Sequence, residues 1–149
     1  MVIDTLARCL ESGDFAQLAP AYAPNALLDA HVPNWRLQRE GPEQITGQFR
    51  SWWPTPGRLT AWEATATHDG CVVQFERWWQ EGAEELNCRQ LHLLRLEAGS
   101  VVEQVVYCAG RWGADLRAKM AAASPLVRAS SARSGAAREC RRAQLRVTA

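Results

Sequence analysis

Apolar residues at helical spacing predict two helices at the start of the chain. Ile3, Leu6 and Leu10 fall on one face of a helix over residues 2–11. The sequence Ser-Gly-Asp breaks this pattern, and Asp14 is suited to cap a second, short helix. The predicted apolar face of this second helix consists of Phe15, Leu18 and Tyr22.

A first strand and a third helix are predicted next. The strand covers residues 26–32. Pro42 at a first helical position, followed by an acidic residue, predicts that the helix begins there. The run Pro-Thr-Pro-Gly at residues 54–57 ends the helix. Its buried face, spaced at i, i+4 and i+7, is predicted to be Ile45, Phe49 and Trp52.

After residue 57 the apolar period changes to two, which is the period of strands. Four strands are predicted, at residues 59–68, 71–79, 85–96 and 101–108. Short turn sequences separate them, namely Asp69-Gly70, Glu81-Gly82 and Ala98-Gly99. Strands joined in succession by short turns pair antiparallel. Helices followed by such a meander predict an α+β domain.

The distribution of charge separates the end of the chain from the rest. Residues 1–116 carry nine arginines against fifteen Asp and Glu, a net charge of −6, whereas residues 117–149 carry eight basic residues and one Glu, a net charge of +7. The second segment is rich in Ala, Arg and Ser and has almost no large apolar side chain. We therefore predict one domain at 1–116 and a basic tail at 117–149, with a short helix at 115–123 and disorder after it.

The sequence carries no pattern that calls for a cofactor or a metal. The five cysteines are widely spaced without a CxxC pair, and there is no GxGxxG, P-loop, GxSxG or HExxH motif. We expect reduced cysteines in a cytoplasmic protein, because no apolar run has membrane-spanning length and no signal-peptide pattern is present. No aromatic residue interleaves with the arginines of the tail, so neither nucleic acid nor a membrane is an expected partner.

The order helix, helix, strand, helix and four-stranded meander resembles the nuclear transport factor 2-like superfamily. The residues that carry the resemblance are LARCLESGDFAQLAPAYAPNALL, GPEQITGQFRSWW and RQLHLLRLEAGSVVEQVVYC. It is closest to the SnoaL-like polyketide cyclases and ketosteroid isomerase-like proteins. The resemblance implies a cone-shaped curved antiparallel sheet wrapped on about three helices, a deep pocket and a homodimer. Such pockets host isomerisation, cyclisation, epoxide hydrolysis or simple binding, so the fold leaves the function open.

Alternation along two strands predicts which side chains face this pocket. On the third meander strand Gln90 and His92 share one face, while Arg89 and Arg95 bracket the opposite face, which we place outside or at a dimer interface. His92 lies near the position where ketosteroid isomerases bind the substrate oxygen, so the resemblance implies a hydrogen-bond donor or proton shuttle. A packed core histidine is the alternative. On the last strand, Val102, Gln104, Val106 and Cys108 are matched to the pocket face.

The catalytic base of the isomerases has no counterpart in this sequence. The matched position is Ala30, with Asp29 and His31 on either side. Neighbours along a strand face opposite ways, so neither side chain takes the role by default. A bulge before Pro33 would bring His31 into the cavity.

The remaining candidates are a carboxylate and several aromatic or polar groups. Glu76 would be a general acid or base if it faced an apolar cavity, and a solvent-exposed ion pair is the alternative. Trp35 and Arg36 are predicted in a rim loop before the helix at Pro42, where they could cover and bind a ligand. The substrate-binding set is completed by Trp52, Trp62, Gln90, Gln104 and Cys108.

Two functions remain open at this point. The first is a cofactor-free isomerase, cyclase or hydrolase that uses acid/base chemistry on an apolar carbonyl, lactone or epoxide, with His92, His31 and Glu76 as catalytic candidates. The second is a ligand-binding or dimeric accessory protein with the same pocket and no chemistry. A third hypothesis is an interaction module whose basic tail recruits an acidic partner.

Overall fold

The structure is a computed structural model and describes residues 2–127. The predicted disorder after residue 127 therefore lies outside the described residues. The helices are α1 (Val2–Ser12), the 3-10 helix η1 (Phe15–Ala21), α2 (Pro42–Trp52) and α3 (Ala114–Ala123). The strands are β1 (Tyr22–Val32), β2 (Trp35–Glu40), β3 (Gly57–Ala66), β4 (Gly70–Glu81), β5 (Glu84–Glu97) and β6 (Ser100–Cys108).

The six strands form one curved sheet in the order β2-β1-β6-β5-β4-β3. Every neighbouring pair is antiparallel except β1 and β6, the last strand of the meander, which run parallel. The four-stranded meander and the α+β class predicted from the sequence are confirmed. At the predicted Ala98-Gly99 turn both residues have positive φ, 48° and 83°, as a tight hairpin requires.

Strand β2 corrects the predicted rim loop. The chain turns back at Pro33 and Asn34, where Asn34 has φ 61°, and β2 pairs with β1 from Val32 opposite Trp35 onward. Only one apolar residue of β2, Leu37, packs against the core. The strand was missed because its sequence is mostly polar, which suits an edge strand with one partner. Tyr22 is also reassigned, since it begins β1 instead of lying on the second helix.

The core lies between the helices and the inner face of the sheet, which is defined as the face that η1 and α2 cover. Phe15 of η1 stacks on Phe49 of α2 with ring centroids 5.6 Å apart, and both rings contact Trp53. The apolar side of α1 is buried through Ile3, Leu6 and Leu10 and its neighbours, as the helical spacing predicted.

A buried arginine joins the sheet to the helical layer. Arg77 of β4 has no exposed surface, and burial lowers its pKa to about 10, so the guanidinium is still charged at neutral pH. Its Nε donates to the carbonyl oxygen of Leu10 at 2.6 Å, and Nη2 donates to that of Thr55 at 2.7 Å. The rings of Trp53 and Trp79 lie 5.4 Å from its central carbon. Arg77 therefore links β4 to the backbone of Leu10 and Thr55, a structural role that the alternation along the strand did not predict.

The predicted short helix near residue 115 is confirmed as α3. Its attachment to the domain is through Arg117, whose Nη1 donates to the carbonyl oxygen of Trp112 at 2.6 Å and to Asn87 Oδ1 at 3.1 Å. Within residues 2–127, no helix has the length and apolar character needed to cross a membrane. The division between a domain at 1–116 and a tail stays a prediction.

Candidate functional site

Strand β5 separates an inner face from an outer face as its alternation predicted. Cys88, Gln90 and His92 are buried on the inner side, while Arg89 and Leu93 point outward. On β6, Gln104, Val106 and Cys108 also face inward. Val102 does not follow this parity, because the β5–β6 register shifts between Arg95 and Leu96 and Val101 becomes the buried residue.

Four inward side chains form a continuous hydrogen-bonded row, called here the buried polar chain: Tyr22, Gln104, His92 and Gln90. The Tyr22 hydroxyl donates to Gln104 Oε1. The Gln104 amide nitrogen then donates to His92 Nδ1 at 2.8 Å, and His92 Nε2 donates to Gln90 Oε1 at 2.8 Å. Because each amide oxygen can only accept, these contacts assign the imidazole as the tautomer with its proton on Nε2. All donors consequently point the same way, from Tyr22 towards Gln90.

Burial keeps this chain uncharged. His92 has no exposed surface and lies between the rings of Phe49 and Phe75, with centroids 6.0 and 5.1 Å away. Desolvation lowers the pKa of His92 to about 3, so the ring is neutral at physiological pH. Burial likewise raises the pKa of Tyr22, with a smaller contribution from Cys9. Both ring nitrogens of His92 are occupied by glutamines, so in this structure it offers no free donor or acceptor to a ligand.

The buried polar chain ends at Gln90, beside a pair of cysteines. The interaction between the Cys88 thiol and the Cys108 sulfur is the largest cause of opposite shifts in the two pKa values. The pKa of Cys88 is raised, and that of Cys108 is lowered to about 6. Burial opposes the lowering at Cys108, while the Gly110 backbone N–H, 3.4 Å from Sγ, the Gln90 amide and the charge of Arg111 reinforce it.

A cavity of about 350 Å³, called here the inner cavity, opens at the Gln90 end of the buried polar chain. Its apolar wall is formed by Trp52 and Trp53 from the end of α2 and by Val32 and Pro33 from the end of β1. Its polar groups come from Ser51, Gln90, Arg111 and the two thiols of Cys88 and Cys108. A mostly apolar wall with a few polar groups at one end is the usual make-up of a small-molecule site.

A second concavity of about 420 Å³ shares Gln90 and Cys108 with the first. Its other lining side chains include Glu63, Gln74, Arg89, Leu91 and Tyr107 of the outer face and the rings of Trp62 and Phe75. Although this volume is larger, charged and polar groups line much of it. Aromatic side chains and Gln90 line both volumes. The inner cavity is the better candidate site because no carboxylate of the described residues lines it and more of its wall is apolar.

His31 lies on the outer face, so the prediction that it enters the cavity through a bulge is wrong. The β1–β2 register is regular from Leu27 to Val32, and no bulge reverses the parity of the strand. The His31 ring stacks on Tyr107 at 4.9 Å, and its Nε2 is 3.6 Å from Asp29 Oδ1.

Glu76 also faces outward, which corrects its predicted place in an apolar cavity. Its Oε2 lies 3.0 Å from Arg89 Nε, and its Oε1 accepts a hydrogen bond from Trp78 Nε1 at 2.7 Å. Glu76 shares its face of β4 with Gln74 and Trp78, and that face is the outer one. The ion-pair alternative therefore describes Glu76.

Trp35 and Arg36 are in β2 and not at the cavity rim. Trp35 is 71% exposed. Arg36 donates from Nε and Nη2 to the two carboxylate oxygens of Asp29, at 2.9 and 2.6 Å. This bidentate contact is the largest cause of the lowered pKa of Asp29. The guanidinium thus joins β2 to β1 and does not line the inner cavity.

The inner face brings together the other six predicted site residues. Trp52, Gln90 and Cys108 line the cavity, while Gln104 and His92 stand behind them in the buried polar chain. Trp62 also points inward, where it stacks on Phe75 with centroids 6.0 Å apart. Sequence reasoning missed the roles of Tyr22, Cys88 and Trp53. For Cys88 a signal existed, because it shares the inward parity of Gln90, which pairs with Cys108 on the next strand.

No metal site accompanies these residues: among residues 2–127, no group of three His, Cys, Asp or Glu side chains is arranged to hold an ion.

Comparison with known proteins gives similarity in structure and not in sequence. No protein-family model matches the chain, and no curated protein matches it in sequence. Among solved structures, a nuclear transport factor 2-like protein from Anabaena variabilis matches with a TM-score of 0.63 at 10% identity, covering 73% of this chain and 84% of that one. The chain adopts the nuclear transport factor 2-like fold.

Two other structures with this fold have more specific descriptions. A hypothetical protein from Catenulispora acidiphila with a ketosteroid isomerase-like fold, in complex with trimethylamine, matches with a TM-score of 0.61 at 14% identity, over 71% of this chain and 83% of that one. A proposed polyketide cyclase from Pseudomonas putida matches with a TM-score of 0.57 at 11% identity, over 71% and 87%. At these identities the matches establish the fold and leave the activity of this chain to its own residues.

Proposed function

We propose that this protein binds an apolar small molecule carrying a carbonyl group in the inner cavity. The observation that carries the proposal is the cavity itself, with the tryptophan wall of Trp52 and Trp53 on one side and Gln90 and Cys108 on the other. Its volume of about 350 Å³ suits a compound of one or two rings.

Gln90 is the group best placed to recognise the oxygen of the ligand. Its Oε1 accepts a hydrogen bond from the Nε2–H of His92, which fixes the amide orientation and turns its N–H groups towards Cys108 and the cavity. A carbonyl oxygen is the acceptor that complements such a donor. His92 then acts as a positioning residue, because it orients Gln90 without touching the ligand.

Binding without carboxylate acid/base catalysis is favoured over an isomerase mechanism. Ala30, at the position of the isomerase base, is fully buried on the inner face. None of the side chains that line the inner cavity in the described part of the chain is a carboxylate. His92 is neutral with both nitrogens engaged. These observations favour the ligand-binding alternative over the acid/base enzyme.

The test uses 4-phenylbutan-2-one (benzylacetone), an apolar ketone that has no reactive double bond. Titration should quench tryptophan fluorescence, since Trp52 and Trp53 line the cavity. Gln90→Leu should weaken binding about tenfold through loss of one hydrogen bond. Gln74→Leu is the matched control, on the neighbouring strand but on the outer face, and should change affinity less than about twofold. Equal losses in both variants, or no saturable quenching in the wild type, would contradict the proposal.

A homodimer stays a prediction. The outer face is the surface it would use, because Leu93 and Tyr107 are 39% and 49% exposed there. Sedimentation of wild type and Leu93→Glu would test it, with dissociation expected in the variant.

A further inference from the structure

Cys88 and Cys108 are neighbours on adjacent strands of the inner face. Cys108 ends β6 opposite Gln90 of β5, and Cys88 lies two residues from Gln90 with the same inward parity. Both residues line the inner cavity. Cys88 is 1% exposed, whereas Cys108 is partly exposed, so a molecule in the cavity meets the Cys108 sulfur first.

The groups around Cys108 all favour negative charge on its sulfur. The Gly110 backbone N–H donates to Sγ at 3.4 Å, and the neighbouring Cys88 thiol and Gln90 amide are further causes of the lowered pKa of Cys108. Arg111 adds a positive charge at the same end of the cavity. Partial burial works against the charge, but the lowered pKa of about 6 makes the thiolate the main form at neutral pH.

Gly110 is required for this arrangement. Its φ of +106° lies in the region that side-chain-bearing residues rarely adopt. A Cβ built there would be 3.2 Å from Pro33 Cγ. The glycine thus lets the chain bend directly after β6, and this bend directs its N–H at the Cys108 sulfur.

We propose that Cys108 is a nucleophile that adds covalently to α,β-unsaturated carbonyl compounds bound in the inner cavity. The proposal rests on the proposed function, since it needs a ligand carbonyl at Gln90. The amide of Gln90 would polarise that carbonyl and stabilise the charge that develops on its oxygen. A soft thiolate next to an apolar, aromatic wall is suited to the β-carbon of such a ligand.

The step balances without an oxidant, a reductant or a cofactor. The Cys108 thiolate forms a C–S bond to the β-carbon, and the electron pair of the C=C bond moves to give the enolate. The α-carbon then takes a proton from the thiol of Cys88, which lines the same cavity, and Cys88 recovers a proton from water. The product is a thioether, the net addition of S–H across the double bond.

The test pairs benzylacetone with its unsaturated counterpart, benzylideneacetone. Intact mass and peptide mapping of the full chain should show addition of one benzylideneacetone, located on Cys108. Benzylacetone should bind reversibly and add no mass. Cys108→Ser should abolish the adduct, with its fold checked by circular dichroism. The two buried cysteines Cys9 and Cys71 are internal controls and should remain unmodified.

A second readout separates an activated thiolate from an ordinary accessible thiol. The rate of iodoacetamide labelling at Cys108 should have its midpoint near pH 6, and Cys88→Ala should raise that midpoint by about one pH unit through loss of the thiol donor. This measurement in the wild type does not depend on a variant that folds.

The outcomes divide cleanly between the two proposals. Benzylacetone binding without a benzylideneacetone adduct on Cys108, or a labelling midpoint near that of an ordinary thiol, would overturn the nucleophile and leave the binding function intact. Absence of benzylacetone binding would instead count against the binding function.

Discussion

The two faces of the same sheet hold their polar side chains in opposite ways. The inner face has a row of neutral groups, Tyr22, Gln104, His92 and Gln90, that are buried and joined end to end. The outer face has ion pairs with water access, such as Arg36 with Asp29 and Arg89 with Glu76. The alternation of side chains along each strand separates its two faces. It does not show which of the two faces the helices cover.

Desolvation explains the difference. A charge on the inner face would lose its hydration, so histidine is held there in its neutral form and amides take the place of carboxylates. On the outer face water screens each pair, and an exposed pair contributes at most about 1 kcal/mol. Among the fully buried side chains that the structure describes, the exception is Arg77, a cation held by two backbone carbonyl oxygens and two tryptophan rings.

The largest expected effect comes from this exception. Arg77→Ala should lower the free energy of unfolding by about 3–5 kcal/mol, because the carbonyl oxygens of Leu10 and Thr55 lose their donor and a cavity opens. Arg89→Ala on the outer face is the matched control and should cost roughly 0.5 kcal/mol. Urea unfolding measures both. Similar losses of unfolding free energy in the two variants would show that the two faces do not differ in this way.

The next effect is pH-dependent and comes from His92. Its pKa is lower in the folded state than in the unfolded state, so the folded protein binds fewer protons and its stability rises with pH. The contribution of the neutral His92 to the free energy of unfolding is complete above pH 6.5. As the pH falls from there towards 3, this free energy decreases by about 1.4 kcal/mol per pH unit.

Replacing His92 should remove that dependence. His92→Gln should cost about 2 kcal/mol at pH 7, where Gln90 and Gln104 lose a matched partner, and the gap to the wild type should narrow as the pH falls. His31→Gln on the outer face is the control, with a change below about 0.5 kcal/mol at pH 7. A gap that is constant from pH 7 to pH 4 would contradict a neutral, buried imidazole.

A smaller effect is expected at the cavity mouth. Gly110→Ala should cost about 1–2 kcal/mol, since alanine is strained at φ +106° and its Cβ meets Pro33. It should also slow the labelling of Cys108 by displacing the N–H donor. Unchanged stability and labelling would show that this bend does not depend on glycine.

The smallest effect is expected at Glu76. Because Glu76 pairs with Arg89 on the outer face, Glu76→Gln should leave benzylacetone affinity within about twofold of the wild type and change stability by roughly 0.5 kcal/mol. A tenfold loss of affinity would bring back the original prediction that Glu76 acts in the cavity.

The fold could be predicted because the apolar period changes clearly from helical to strand-like near residue 57, and the parity of β5 follows without interruption. Strand β2 could not, since its polar sequence resembles a loop and its pairing depends on the turn at Pro33 and Asn34. The face on which Glu76 lies could not be predicted without knowing which side of the sheet the helices cover. The orientation of Val102 could not be predicted because it depends on the shift of register between β5 and β6.

The candidate site was predicted in part, and the reason is long-range contact. Gln90, His92 and Cys108 were found from parity along two strands. Their chemistry depends on partners that parity does not give. Tyr22 lies 82 positions from Gln104 along the chain, and the contact of Cys88 with Cys108 arises only when β5 and β6 are paired.

The central claim, that the ligand site is the inner cavity at the end of the buried polar chain, is tested most directly by a crystal structure of the protein soaked with benzylacetone. We expect density for the ligand between Trp52 and Cys108, with its carbonyl oxygen within hydrogen-bond distance of the Gln90 amide nitrogen. Density in the outer-face concavity beside Arg89, or an inner cavity that stays empty of ligand, would contradict it.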